Sequence, residues 1–112
     1  MSNKDSDYRL SLLPIIFRKA LGIGSWVQGS IREVGEHAEA QSYLQAPGQG
    51  EKALKITEAE IRKTAKKLGK PVTHRVYAAN ERSQKLFIQT KGYTLIGTDD
   101  DGALIFEKEI LP

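Results

Sequence analysis

Residues 45–50 read QAPGQG and lead directly into residues 51–68, a segment with a helical composition. Proline and glycine at this density are typical of a loop. Gly48 and Gly50 allow the backbone to turn tightly and to approach a ligand closely. At the start of a helix, the unpaired amides and the positive end of the dipole point in the same direction. This stretch therefore predicts a loop that binds a phosphate or diphosphate at the start of a long helix.

The segments after this loop predict a helix, a strand, a second helix and a hairpin. The first helix carries apolar residues at helical spacing and is expected to end at Gly69. Asn80 is a typical N-cap for the second helix. The expected ranges are 51–68 and 81–91 for the helices, and 72–78, 93–98 and 103–110 for the strands.

The segments before the loop predict two more strands and one helix. Residues 26–34 and 36–44 read as strands, and Gly35 occupies the turn between them. Residues 8–21 are apolar with interspersed basic residues and predict a helix that ends at the glycines that follow, with a strand as the alternative for Ile15, Ile16 and Phe17. A helix between two strands implies a parallel, right-handed crossover. We therefore expect one α/β (α+β) domain, residues 1–112, with a mixed β-sheet flanked by helices.

Composition excludes several classes of protein and site. The chain has no cysteine and two histidines, which excludes a disulfide framework, a thiolate nucleophile and a multi-histidine metal site. His74 falls on the apolar face of its strand and is predicted to be a hydrogen-bonded core residue. No apolar run is long enough to span a membrane, and no secretory signal is recognisable. We expect a cytoplasmic protein or, in the alternative described below, a component of a virion.

The net charge is +3, and much of the excess lies in residues 62–75. A solvated helix face is the simplest interpretation of this run, and the alternatives are contacts with cofactor phosphates or a nucleic-acid-binding module. Aromatic residues are not interleaved with these cations, which disfavours a nucleic-acid partner. Residues 99–102 form an acidic run that lacks the alternating carboxylates of a calcium loop, so they predict a turn.

The motif Gln45-x-x-Gly48-x-Gly50 resembles the pyrophosphate loop of the GNAT family of N-acetyltransferases. In that family, the helix after the loop leads to a strand that ends at an asparagine, and a short helix, a glycine–aromatic pair and two strands follow. Here Asn80, the Leu86-Phe87 pair and the Gly92-Tyr93 pair stand in the same order. The resemblance covers residues 36–110, which would form the acetyl-CoA-binding core of a GNAT-like fold, and residues 1–35 would be a divergent, shortened N-terminal segment.

The resemblance implies an acetyl-CoA-dependent N-acetyltransferase that transfers an acetyl group to an amine, carried by a small molecule or a protein, of unknown identity. Backbone groups of the loop would hold the pyrophosphate of the cofactor. Asn80 would lie near the pantetheine arm, and Phe87 near the thiol end. The implied cofactor-binding residues are Gln45, Gly48, Gln49, Gly50, Asn80 and Phe87.

The catalytic groups depart from the family pattern. The family usually has a tyrosine, the acid for the leaving thiolate, where Phe87 stands, so Tyr93 or Tyr77 would have to replace it. Glu36 and Glu39 lie on or near the strand before the loop and are the candidate bases, because burial could raise the pKa of a carboxyl there.

The sequence also supports a second interpretation, a catalytically inactive GNAT-like structural or assembly protein, such as a bacteriophage virion component. The family normally places a strand, two helices and two more strands before the loop strand, and these build the wall of the acceptor site. Here a second copy of the chain or a partner protein would complete that side. The apolar segment 10–17, together with Trp26, is the expected interface.

Overall fold

A mixed sheet and two helices account for most of residues 14–112, the part of the chain that this computed structural model describes. The elements are β1 Ile15–Gly22, β2 Ser25–Val34, β3 His37–Gln45, α1 Gly50–Leu68, β4 Val72–Ala78, α2 Glu81–Gln89, β5 Thr94–Thr98 and β6 Leu104–Ile110.

The six strands form one sheet in the order β1-β2-β3-β4-β6-β5. The chain builds it from the antiparallel ribbon β1-β2-β3, crosses over through α1, and then adds β4 in parallel to β3. The last two strands form a hairpin, and β6 inserts between β4 and β5. Among the described strands, β3 and β4 are the only parallel neighbours, so the sheet is mixed as predicted.

Helix α1 forms because its apolar and small residues recur every three or four positions. Leu54, Thr57, Ile61 and Ala65 are buried along one stripe. The helix ends at Gly69, which adopts the left-handed conformation (φ 70°), and its amide donates to the Ala65 carbonyl at 2.8 Å. This is the C-terminus that the sequence predicts.

Both helices pack on the same face of the sheet. One core cluster joins α1 to β2, β3, β4 and β6, and it contains Ile31, Ala38, Ala40, Ile61, Ala65, Val72 and Ile110. A second cluster joins both helices to the adjoining end of the sheet, and it contains Leu54, Val76, Ala78, Phe87 and Phe106. The prediction of a sheet flanked by helices is confirmed, with the helices confined to one side. We call the opposite side, which carries Arg18, Trp26, Tyr43 and Tyr77, the helix-free face.

The helix predicted over residues 8–21 is wrong for residues 15–21, which belong to strand β1; residues 8–13 lie outside the described part. Phe17 packs against the core, whereas its neighbour Ile16 is 73% exposed. This alternation with a period of two, together with the β-branched pair at 15–16, favours a strand. The backbone partners of β1 are the residues of β2 from Ile31 to Ser25. The glycines expected to end a helix instead form the turn between β1 and β2.

The other elements agree with the sequence to within two residues at each end. No helix within residues 14–112 is both long and apolar enough to cross a membrane.

Candidate functional site

The two parallel strands separate before they end. β3 and β4 pair only at Glu39–Thr73, Ala40–His74 and Gln41–Arg75. Beyond these pairs, β3 continues to Gln45 and β4 to Ala78 with no ladder between them, so their facing backbone groups lack a strand partner. We call this gap the wedge.

The loop after β3 places an uncapped helix start beside the wedge. Gly48 has φ 72°, a conformation that a side chain would strain, and the Gln49 amide donates to the Ala46 carbonyl at 2.9 Å. The first bond of the helix runs from the Ala53 amide to the Gln49 carbonyl, and no side chain caps the terminus. The amides of residues 50–52 therefore have no acceptor within the helix.

Two cavities meet at this position. The first, of about 610 Å³, lies between the loop and α2, and we call it the loop cavity. The second, of about 590 Å³, lies in the wedge, and we call it the wedge cavity. They share the residues Leu44, Asn80, Ser83 and Phe87, so they adjoin.

The structure brings together most of the predicted cofactor-binding residues. The residues that line the loop cavity include Gln45, Gly48, Gly50, Asn80 and Phe87. Gln49 does not line it, and its amide already donates to the Ala46 carbonyl within the turn. The Asn80 side chain caps α2 as predicted, accepting a hydrogen bond from the Ser83 amide at 2.9 Å. Phe87 is a core residue, 4% exposed, whose ring packs against Phe106 and Tyr93 and reaches both cavities.

The predicted catalytic carboxylates are not at the wedge. Glu36 lies in the turn before β3, about 30 Å from the loop by the rise of the nine-residue strand. Glu39 is exposed on the helix-free face, paired in register with Arg32 and Thr73. Neither residue lines either cavity, because both lie near the start of β3, whereas the cavities lie at its end.

Tyr93, the predicted acid, belongs instead to a buried network behind Phe87. Its hydroxyl donates to Glu58 Oε2 at 2.9 Å and lies 2.7 Å from His74 Nδ1. His74 Nε2 lies 2.7 Å from the Ser42 hydroxyl, and Lys108 donates to Glu58 Oε1 at 2.9 Å. The prediction that His74 is a hydrogen-bonded core residue is confirmed, since it is fully buried with both ring nitrogens partnered.

Burial controls the protonation of this network. It lowers the pKa of His74 to about 4, an effect that Glu58 opposes and Lys108 reinforces. Burial also raises the pKa of Tyr93, and Glu58 raises it further, so the phenol keeps its hydrogen. Because that hydrogen goes to Glu58, Tyr93 accepts the hydrogen of His74 Nδ1, and Nε2 is left to accept from Ser42.

Sequence reasoning missed Ser42, Glu58 and Lys108. The sequence pattern did contain a signal for Ser42. Alternate residues of β3 face inward, and after Ala38 and Ala40 the next of these positions is the polar Ser42. Its contact with His74 joins residues 32 positions apart, which no local pattern reveals.

Of the cations in the basic run 62–75, Arg75 lines the wedge cavity and the others line neither cavity. Arg82 and Lys85 of α2 line the loop cavity. In the basic run, Lys63 of α1 pairs with Glu60, Lys70 in the connection after α1 pairs with Glu33, and Arg75 of β4 pairs with Glu107. The exposed Lys63 agrees with a solvated helix face, whereas Lys70 and Arg75 lie outside the helix.

Residues 99–102 form the predicted turn. Asp99 Oδ1 accepts from the amides of Asp101 and Ala103 at 2.9 and 2.8 Å. Within residues 14–112, no group of three or more acidic or histidine side chains is arranged to hold a metal ion.

Comparison of the chain with protein-family models, with curated proteins and with solved structures found no match.

Proposed function

We propose that this protein is an acetyl-CoA-dependent N-acetyltransferase that acts on an amine. The observation that carries the proposal is the position of the uncapped start of α1, at the end of two parallel strands that separate. Such an end of a sheet is a common position for a ligand, and unpaired amides at a helix start favour phosphate oxygens.

The loop cavity has the chemistry that a diphosphate requires. The amides of residues 50–52 supply donors, and Arg82 and Lys85 supply positive charge on the facing helix. Gly50 lets the start of α1 lie close to Leu86 of α2, since a Cβ at this position would meet the Leu86 side chain at 3.2 Å.

The wedge cavity has the form that an extended arm and its acyl group require. It is bordered by strand backbone without ladder partners, so its amides can hold the arm and polarise a carbonyl. The bound cofactor would supply an acetyl group activated as a thioester. The residues of this chain would bind and orient it, and proximity of the amine would provide much of the acceleration.

Isothermal calorimetry with CoA and acetyl-CoA tests the proposal. We expect saturable binding by the wild type. We expect Gly50→Ala to bind at least about tenfold more weakly, a loss of about 1.4 kcal/mol, because the added methyl group meets Leu86 and shifts a side chain that lines the loop cavity. Gly97→Ala is the matched control, since a Cβ there meets no atom within 4 Å. No heat of binding from the wild type at millimolar cofactor would overturn the proposal.

A second candidate function is that of a non-catalytic assembly protein on the same fold, in a virion or a cytoplasmic complex. It is favoured by Phe87, which has no hydroxyl, and by the helix-free face, on which Tyr43 is 73% exposed and Tyr77 45% exposed. Light scattering after size exclusion tests it. A single species at monomer mass at every concentration, with no partner retained on an affinity column, would count against it.

A further inference from the structure

Ser42 occupies the closed end of the wedge. It is the first residue of β3 beyond the last pair with β4, Gln41–Arg75, and it lines the wedge cavity. Its side chain lies on the same side of the sheet as the buried His74, and the residue as a whole is half-buried. Ser42 is therefore the member of the network that reaches the wedge cavity, whereas Glu58, at the other end, lines a smaller cavity of about 280 Å³ beside α1.

From Ser42 to Glu58, each hydrogen in this network is donated towards Glu58, which also accepts from Lys108. Tyr93 donates to Glu58, so the tyrosine oxygen accepts from His74 Nδ1. The unprotonated Nε2 then accepts from the Ser42 hydroxyl at 2.7 Å. A hydroxyl bonded to a neutral imidazole, whose other nitrogen is held by a third group, is the arrangement that activates serine nucleophiles.

We propose that Ser42 is a catalytic nucleophile that accepts an acyl group from a thioester or an activated ester, with His74 as its base. Tyr93 and Glu58 are positioning residues, which hold the imidazole in the tautomer that the base requires.

The acyl transfer to Ser42 conserves atoms and protons. Ser42 Oγ forms a bond to the acyl carbon while its proton passes to His74 Nε2. The bond from the acyl carbon to the sulfur or oxygen of the leaving group breaks, and the proton on Nε2 passes to that leaving group. Water or an amine then bonds to the acyl carbon and gives a proton to His74 Nε2. The bond from the acyl carbon to Ser42 Oγ breaks, Oγ takes the proton from Nε2, and the carboxylic acid or amide leaves.

The surroundings of Ser42 suit such a step. The backbone amides that face the wedge beyond Gln41 and Arg75 have no ladder partner, so they are placed to stabilise negative charge on the acyl oxygen. The wedge cavity, of about 590 Å³, has room for the acyl group and part of its donor. The inference uses the same wedge as the acetyltransferase proposal but does not require CoA, because any activated acyl group of suitable size would serve.

A fluorophosphonate probe tests the inference, with intact-protein and peptide mass spectrometry as the readout. We expect one adduct, on Ser42, in the wild type, and none in Ser42→Ala. His74→Gln should lower the rate constant of labelling by about 100-fold, the usual scale of a lost general base. Ser30→Ala is the matched control, since Ser30 lies on the helix-free face of β2 and should leave labelling unchanged.

Folding of each variant is checked by circular dichroism, and Tyr93→Phe provides a second variant that keeps the ring. It should label more slowly than the wild type, because His74 Nδ1 loses its acceptor. Absence of a wild-type adduct, an adduct only at another residue, or equal labelling of folded His74→Gln would each overturn the inference.

The pH dependence of wild-type labelling gives a readout that a purely structural network would not produce. The groups that face His74 are Ser42 of β3, Tyr93 before β5, Glu58 of α1 and Lys108 of β6. Because the pKa of His74 is about 4, the imidazole is neutral at every pH from 6 to 8, and the labelling rate should not change with pH over this range. An unassisted hydroxyl would react about tenfold faster for each unit of pH as its alkoxide fraction rises, and that result would also overturn the inference.

Calorimetry separates this inference from the acetyltransferase proposal. Labelling of Ser42 without binding of CoA would remove the cofactor assignment alone. Binding of CoA without labelling would remove the nucleophile alone.

Discussion

Nδ1 of His74 lies 2.7 Å from the hydroxyl oxygen of Tyr93, and the two rings meet edge to face at 71°. This contact joins β4 to the residue before β5, and Glu58 extends it to α1. None of the buried side-chain nitrogen or oxygen atoms in residues 14–112 lacks a hydrogen-bond partner. The polar network is therefore fully satisfied, the condition under which buried polar groups stabilise a fold rather than weaken it.

Stability should fall as the pH drops from about 6.5 towards 4, because folded His74 has its pKa lowered to about 4 from the usual 6.5. Above this range the imidazole is neutral in both states and the stability is fully present. Within it, the unfolded chain binds a proton that the folded chain does not, which favours unfolding by roughly 3 kcal/mol over the whole range. Urea unfolding at several pH values measures this loss.

His74→Gln is the comparison for that measurement, because it removes the titrating group. Glu60 also has a lowered pKa, since its hydrogen bonds to Lys19 and Lys63 outweigh the effect of burial, and it contributes acid sensitivity to both proteins. The wild type should therefore lose more stability than His74→Gln between pH 6.5 and 4. Parallel curves for the two proteins would contradict the prediction.

Tyr93→Phe should destabilise the fold by about 2 kcal/mol, because it leaves Glu58 Oε2 and His74 Nδ1 without their partner. Tyr43→Phe removes the same hydroxyl from a side chain that is 73% exposed and should change stability by less than about 0.5 kcal/mol. Chemical denaturation at pH 7.5 measures both. Equal values for the two variants would show that the buried hydroxyl contributes nothing.

The pKa of His74 should respond to its two charged neighbours in opposite directions. Lys108→Met should raise it, because the cation lowers it now, and Glu58→Gln should lower it further, because the carboxylate raises it now. Titration of the imidazole resonances by NMR measures both changes. Shifts of the same sign in the two variants would be inconsistent with this network.

Ile61→Ala should cost about 3 kcal/mol, since Ile61 is fully buried between α1 and the sheet and its truncation leaves a cavity. Ile88→Ala removes the same atoms from a side chain on α2 that is 66% exposed, and should cost less than about 1 kcal/mol. Thermal or urea unfolding distinguishes them. A small loss for Ile61→Ala would mean that α1 does not pack as described.

Most of the fold was predictable because local chemistry decided it. The apolar stripe and the terminal glycine placed α1, and the alternation of residues 72–78 placed β4. The sequence left strand β1 open, because residues 15–17 suit either a helix or a strand and pairing with β2 decides for the strand.

The features of the candidate site also divide into those that local sequence determines and those that depend on tertiary packing. By itself, the sequence determined the glycine loop, the helix that follows it and the Asn80 cap, since each depends on residues within a few positions of one another. Only the tertiary structure decided that β3 and β4 separate and that Ser42 meets His74. These relationships join residues far apart in the chain, and their distances depend on how the sheet and helices pack, which no local propensity encodes.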